Sequence, residues 1–245
     1  HKSVALEHSE WLSLLDIDGP FLSLPVLLHP EGFPQGLERV DAARRKTLRL
    51  AYQAWLDDSK DPRIHLNWIE VVLQQALEFD QREPSNWTSS EWYLDRFGGE
   101  HPVPDSLVLH KAEYGETVEP AFLVRNPDDG PEAERARMLV IVHDREQDLV
   151  RPIRSSGWKD LPATRAEQLC KQTGVQLALL TNGNQWMLVD APRDHTRGTA
   201  MWTSELFFAE PITLQAFQSI LSQSRFFSVG DDQTPEGMLD RSRKD

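Results

Sequence analysis

The sequence predicts a mixed α/β chain, an N-terminal helical pair followed by a mixed sheet flanked by helices. Three observations predict it. Apolar residues recur at helical spacing between residues 35 and 77, short runs of Val, Leu and Ile separated by polar segments follow from residue 107, and a helix stopped by a glycine leads into a hairpin at Asn182-Gly183.

The first helix is expected from Gln35 to Asp57, where Leu37, Val40, Leu48, Ala51 and Trp55 alternate with Arg44, Arg45, Lys46 and Arg49 on a basic face. A second starts at Asp61-Pro62, a capping carboxylate followed by a preset φ, and buries Leu66, Ile69, Leu73, Ala76 and Leu77. The two are expected to pack as an antiparallel pair. Between Gln81 and Ser106 the density of Pro, Ser and Gly predicts a surface excursion, with a short helix at Ser90 to Phe97. Asn86-Trp87-Thr88 has the glycosylation spacing, read here as incidental.

Strands are expected at Leu107 to His110, Ala121 to Arg125 and Met138 to His143, with Asp128-Asp129-Gly130-Pro131 in the connection between the last two. Thr164 and Glu167 have the spacing of a capping box, opening a helix that packs Leu169 and Cys170 and stops at Gly174. Val175 to Leu180 and Trp186 to Val189 form a hairpin about a type I′ turn at Asn182-Gly183. Met201 to Phe208 reads as a further strand, and a last helix capped at Thr213 buries Leu214, Phe217, Ile220 and Leu221. The resulting division is a helical region over 1–105, an α/β core over 106–229 and a polar linker over 230–245. The opening His1 and a first methionine at Met138 read as those of a fragment.

Composition narrows the function. The chain of 245 residues is 39% hydrophobic and 27% charged, with a mean hydropathy of −0.50, the profile of a globular protein rather than a disordered or membrane one. No apolar run approaches the roughly 20 residues of a membrane span, and no signal peptide is visible. A single cysteine, Cys170, excludes an internal disulfide and a Cys-based zinc site and suits a cytoplasmic location. With a net charge of −13, any contact with nucleic acid must come from a local basic patch.

The segment from Arg165 to Val189, with Gly174-Val175, the apolar Leu177 to Leu180, Thr181-Asn182-Gly183 and Trp186, resembles the helix and hairpin that end the nuclease-like region of large type IIG restriction–modification proteins. Trp11 to Leu28, with Gly19-Pro20-Phe21-Leu22-Ser23-Leu24-Pro25, resembles the opening of actinobacterial members linked to phage defence. The resemblance implies a PD-(D/E)xK nuclease-like fold in front of an adenine-specific DNA methyltransferase. An active member carries an Asp before one strand and a (D/E)-x-Lys triplet on the next, two carboxylates holding a divalent ion and the Lys acting on the attacking water. The matching positions here are Ala121, Val142 and Asp144, which implies a degenerate centre with no metal. A shifted alignment leaves an alternative, an Mg²⁺-dependent endonuclease using Glu119, Asp129, Asp144 and Glu146 with Lys159 as base and Gln168 facing the centre. The Asn-Pro-Pro-Tyr type motif and the glycine-rich S-adenosylmethionine loop of the methyltransferase are absent, so that cofactor belongs to the parent protein.

Other chemistry has little support. His1, His8, His29, His65, His101, His110, His143 and His195 lack metal-ligand spacing, and there is no Walker loop or Gly-x-Ser-x-Gly elbow. Cys170 reads as core. For DNA there are two candidate patches: the helical Arg44, Arg45, Lys46 and Arg49, assisted by Arg39, and a loop set of Arg151, Arg154, Lys159 and Arg165 beside Trp158. The loop set is the stronger of the two, because in the related fold it lies near the active-site edge. Trp87 and Trp92, in the polar excursion, are candidate anchors for a partner. The expected function is a non-catalytic DNA-binding or assembly module whose partners are DNA, other defence-system subunits or a methyltransferase domain, with no role at a membrane. The endonuclease and an acidic domain that docks on a basic partner stand as alternatives.

Overall fold

The computed structural model describes residues 3–58, 60–79, 93–127 and 136–245. It is mixed α/β. The strands form a seven-stranded mixed sheet and a separate two-stranded ribbon. By contact the chain divides into two compact units, residues 1–82 with 200–245, and residues 83–199. Among the described residues no helix is long and apolar enough to cross a membrane. Asp129, Trp87, Trp92 and the Asn86-Trp87-Thr88 tripeptide lie outside the described residues.

The first unit is mainly helical. Helix α1 (Val4–Ser13) is capped by Ser3 and followed by β1 (Asp16–Asp18) and the short α2 (Leu24–Leu28). Trp11 and His8, both buried, form a chain in which Trp11 Nε1 donates to His8 Nδ1 at 3.0 Å and His8 Nε2 donates to the Phe33 carbonyl at 3.0 Å. Helix α3 (Ala42–Asp57) begins seven residues later than its apolar spacing predicts. The Asp41 carboxylate sets the start by accepting from the amides of Ala43 and Arg44 at 2.9 and 3.1 Å, while Leu37 N–H is held by Glu7 outside any helix. Helix α4 (Pro62–Val71) starts where expected, with Asp61 accepting from Arg63 N–H at 2.8 Å. It packs against α3 and continues as a π-helical turn over Val72–Ala76.

That turn ends at Glu78, which takes a left-handed φ of 60° while Phe79 N–H donates to the Leu73 carbonyl. Helix α6 (Ser204–Ala209) occupies residues expected to continue a strand. Helix α7 (Pro211–Leu221) buries Leu214, Phe217, Ile220 and Leu221 as its spacing predicts. Its N-cap is Glu210, with Pro211 in the first turn; Thr213 lies inside the helix and its hydroxyl donates to the Glu210 carbonyl. The short α8 (Gln223–Phe227) and α9 (Pro235–Ser242) follow. The polar composition around α9 reads as a linker, but Thr234 caps the helix and Met238 and Leu239 are buried.

The second unit holds the centre of the sheet. Leu94–Arg96 form a strand, β2, rather than a helix, because Arg96, Asp95 and Leu94 pair with Phe122, Leu123 and Val124 of β5 (Phe122–Arg125). Between them β3 (Leu109–Lys111) and β4 (Glu116–Val118) make the small ribbon. Strand β5 runs antiparallel to β6 (Ala136–Val142), α5 (Pro162–Thr173) crosses over, and β7 (Leu177–Thr181) returns parallel to β6, with Val142 opposite Thr181. Strands β6 and β7 read as continuous apolar runs, as central strands buried on both faces do. Helix α5 is entered at Pro162, two residues before the expected capping box, and Thr164 accepts from Arg197. It stops at Gly174, whose φ of 78° only glycine adopts without strain.

Strand β8 (Gln185–Asp190) pairs antiparallel with β7, with Thr181 opposite Trp186. The connection differs from the expected I′ turn: of its residues only Gly183 has positive φ, at 88°. Asn182 instead organises the turn with its side chain, Oδ1 accepting from the amides of Asn184 and Gln185 at 2.9 and 2.7 Å. Strand β9 (Gly198–Thr203) completes the series.

Candidate functional site

The site implied by the crossover lies where β5 begins, β6 ends and α5 starts. Ala121 N–H donates to the Val140 carbonyl at 2.8 Å, which seats the first residue before β5 against β6. His143 N–H donates to the Thr181 carbonyl at 2.8 Å, so β6 stays tied to β7 one residue past Val142. Beyond it Asp144 and Glu146 are exposed, and Glu119 before β5 is exposed as well. The loop then turns back to the β7–β8 hairpin. Asn182 Nδ2 donates to the Gln147 carbonyl at 2.7 Å, and Leu149 N–H donates to Gln185 Oε1 at 2.9 Å. Gln185 Nε2 donates to Asp148 at 3.0 Å. That bond, helped by the Val150 amide and the Arg151 charge, holds the Asp148 carboxyl below the usual carboxylate range.

The dominant feature is a buried arginine. Arg165, 4% exposed on the first turns of α5, donates through Nη1 to Glu116 Oε2 at 2.9 Å. Its Nη2 donates to Ser156 Oγ at 2.6 Å and to the Trp158 carbonyl. Its guanidinium lies 4.2 Å from the Trp158 ring centroid. Tyr114 stacks on the same indole at 6.1 Å, with the planes 6° apart, and Lys111 Nζ lies 5.3 Å from it. Ser156 Oγ donates in turn to Glu116. That bond and the Arg165 contacts lower the Glu116 pKa.

Trp158 Nε1 and Gln168 Nε2 both donate to Asp160 Oδ2, at 2.8 and 3.0 Å. His143 stands within the field of this cluster. Burial of the ring, then the Arg165 charge, lowers its pKa to about 4, against the pull of Asp144. It is therefore a neutral imidazole at neutral pH.

This arrangement corrects several sequence expectations. Arg165 is not available to DNA, because a planar fork of five donors is already spent on a carboxylate, a hydroxyl and backbone carbonyls. Lys159 is exposed, but its Nζ donates to the Ser156 carbonyl at 2.8 Å within its own loop. Gln168 binds Asp160 rather than an open centre. Among the described residues no three His, Cys, Asp or Glu side chains stand together as metal ligands. Among the described residues Glu119, Asp144 and Glu146 therefore make no ligand group with one another, and Asp129, the other carboxylate of the shifted alignment, lies outside them. Arg151 is exposed and lies 3.5 Å from Asp148, and Arg154 is exposed. Cys170 is buried and its thiol is pushed up to about 12, which suits core and not a nucleophile.

On α3 the four cations also divide. Arg44 is half-buried, its Nη1 donating to the Gln74 carbonyl at 3.1 Å, with Glu78 at 3.9 Å. Arg45, Lys46 and Arg49 are exposed. The residues that sequence reasoning missed are Glu116, Ser156 and Asp160. Ser156 and Asp160 flank Trp158 in one loop and carried a weak local signal, but Glu116 lies 49 residues from Arg165 and carried none.

The fold and site define a class: a mixed α/β chain with a β–α–β crossover whose helix start is filled by an arginine–tryptophan–carboxylate core. Comparison with known proteins adds no narrower assignment, since no protein family, curated protein or solved structure matches this chain.

Proposed function

We propose that this chain is a catalytically silent, nuclease-like module of a bacterial restriction–modification or phage-defence DNA methyltransferase, acting in the cytoplasm to hold DNA or partner subunits for the methyltransferase. One observation carries the reading. Strands β5 and β6 pair antiparallel and α5 crosses to the parallel β7, the layout in which nuclease-like domains present their metal-binding carboxylates, yet the corresponding side chains are Ala121 and Val142. Neither offers an oxygen to a divalent ion. Asp144, at the position of the catalytic lysine, has no ammonium with which to act on water. The cluster about Arg165 supports the same reading, since its donors and acceptors are matched internally.

The test is plasmid cleavage by the intact chain with Mg²⁺ or Mn²⁺, beside an EDTA control and the Asp144→Ala variant. No metal-dependent nicking is expected. Nicking that requires the metal and disappears in Asp144→Ala would establish the endonuclease instead.

A further inference from the structure

Helix α3 runs against the charge of the chain. The protein carries a net charge of −13, yet from Ala42 to Asp57 the helix holds Arg44, Arg45, Lys46 and Arg49 and one acid, Asp57, at its far end. Arg44 serves the fold through Gln74 and Glu78. The other three point outward, and none has an ion pair to another described residue. Asp41, whose carboxylate caps the helix by accepting from the amides of Ala43 and Arg44, keeps its charge but forms no ion pair with these three.

Geometry makes these three a unit. At about 1.5 Å rise per residue, Arg45 and Arg49 stand one turn apart on one line, about 6 Å along the axis, with Lys46 beside them. Arg49 is also preorganised: its guanidinium lies 5.1 Å from the Phe208 ring centroid, a contact that restrains the side chain without cancelling its charge. Cations of like sign one turn apart repel each other, and among the described residues no carboxylate forms an ion pair with them. An external polyanion would. A nucleic-acid strand carries one charge per ~3.4 Å of helix axis, so a ~6 Å row of cations spans about two phosphates and Lys46 reaches a third.

We infer that the outward face of α3 is a sequence-independent docking site for a nucleic-acid phosphate backbone, made by Arg45, Lys46 and Arg49. The inference rests on the reading of the chain as a DNA-handling module. It moves the contact away from the loop carrying Arg151 and Arg154 that the sequence favoured. Backbone contacts of this kind position a protein on DNA without reading bases, which suits a module that leaves recognition to another domain. Leu50, 64% exposed on the flank of the patch, makes an acidic protein surface the rival ligand class.

The experiment is fluorescence anisotropy of a labelled random-sequence duplex with the intact chain between 50 and 200 mM salt. Three phosphate contacts give a log–log slope of about −2.7, a loss of affinity of roughly 40-fold over that range. The triple variant Arg45→Gln, Lys46→Gln, Arg49→Gln should lose the slope. Arg45→Lys with Arg49→Lys should keep it, and so should Arg151→Gln with Arg154→Gln. Unchanged binding by the triple variant, or loss confined to the Arg151 and Arg154 variant, overturns the inference and leaves the DNA-handling reading standing. A parent chain with no salt-sensitive duplex binding overturns both. Displacement of the duplex by poly-glutamate at a lower charge concentration than by unlabelled duplex overturns nucleic acid as the ligand class.

Discussion

Lowering the pH from 7 to 5 should destabilise the unit formed by residues 83–199 through one side chain, His143. Its Nε2 is buried at the end of β6, and burial with the Arg165 charge lowers its pKa from 6.5 to about 4. The sign follows from linkage. The unfolded chain takes up the proton first, so the stability that rests on a neutral ring is complete above about pH 6.5. It is lost as the pH falls toward 4, and the loss levels off once the folded state protonates as well. At about 1.4 kcal/mol per unit of pKa difference, the full effect is roughly 3 kcal/mol, of which about 2 kcal/mol falls between pH 7 and pH 5. Urea unfolding of the parent and of His143→Leu at half-unit steps of pH measures it. The variant has its own baseline, so the difference in pH slope is the readout, and it cancels the carboxylates common to both proteins. Parallel slopes for the two proteins between pH 7 and 5, or an imidazole resonance of His143 that titrates near 6.5, would refute the reasoning.

Two further predictions concern the same fold. Arg165→Met should lower the stability of its unit by about 3 kcal/mol, because the carbonyls of Trp158 and Asp160 each lose a guanidinium donor and the Glu116 carboxylate loses its ion-pair partner, which an apolar chain cannot replace. Urea denaturation followed by tryptophan emission reads this, and a change under about 1 kcal/mol would mean that water replaces the guanidinium without loss. Glu78→Gly should raise stability by roughly 0.5–1 kcal/mol, since an L-residue in the left-handed region carries a penalty that glycine does not. The exchange gives up the contact of Glu78 with Arg44, 3.9 Å between Nε and Oε1. A lower melting temperature for Glu78→Gly would show that the contact matters more than the backbone.

Local chemistry was legible in the sequence wherever it acts alone. Asp61-Pro62 opens α4, Gly174 closes α5, and the apolar runs of β6 and β7 are strands. The failures occur where a tertiary partner outweighs a local signal. The capping box at Thr164 and Glu167 is bypassed because Arg197 takes both residues, at 3.0 and 2.8 Å. Leu94 to Arg96 become a strand because β5 offers an edge to pair with. Phe207 and Phe208 belong to a helix, and Phe207 packs its ring on Phe217. At the candidate site, Ala121 and Val142 were singled out only through the resemblance to nuclease-like proteins. The burial of Arg165 was not, because it depends on Glu116 at a distant point of the chain.

That burial bears on how basic residues near aromatic ones are to be read. Arg165 and Trp158 together carry the composition of a nucleic-acid contact, a cation beside a stacking ring, and the sequence gives no ground for separating them from Arg151 and Arg154. Burial separates them by a physical criterion. A guanidinium removed from water must have its donors met, and Arg165 meets this with Glu116, Ser156, Trp158 and Asp160, which leaves little for a ligand. An exposed guanidinium faces no such demand: Arg49 keeps its donors solvated while Phe208 fixes its position. In a chain of net charge −13, whose overall field repels phosphate, the cations best placed to meet a polyanion are those that folding has left uncompensated. By that criterion the three on α3 qualify and Arg165 does not, the reverse of the order suggested by sequence alone, which placed Arg165 in the favoured loop set.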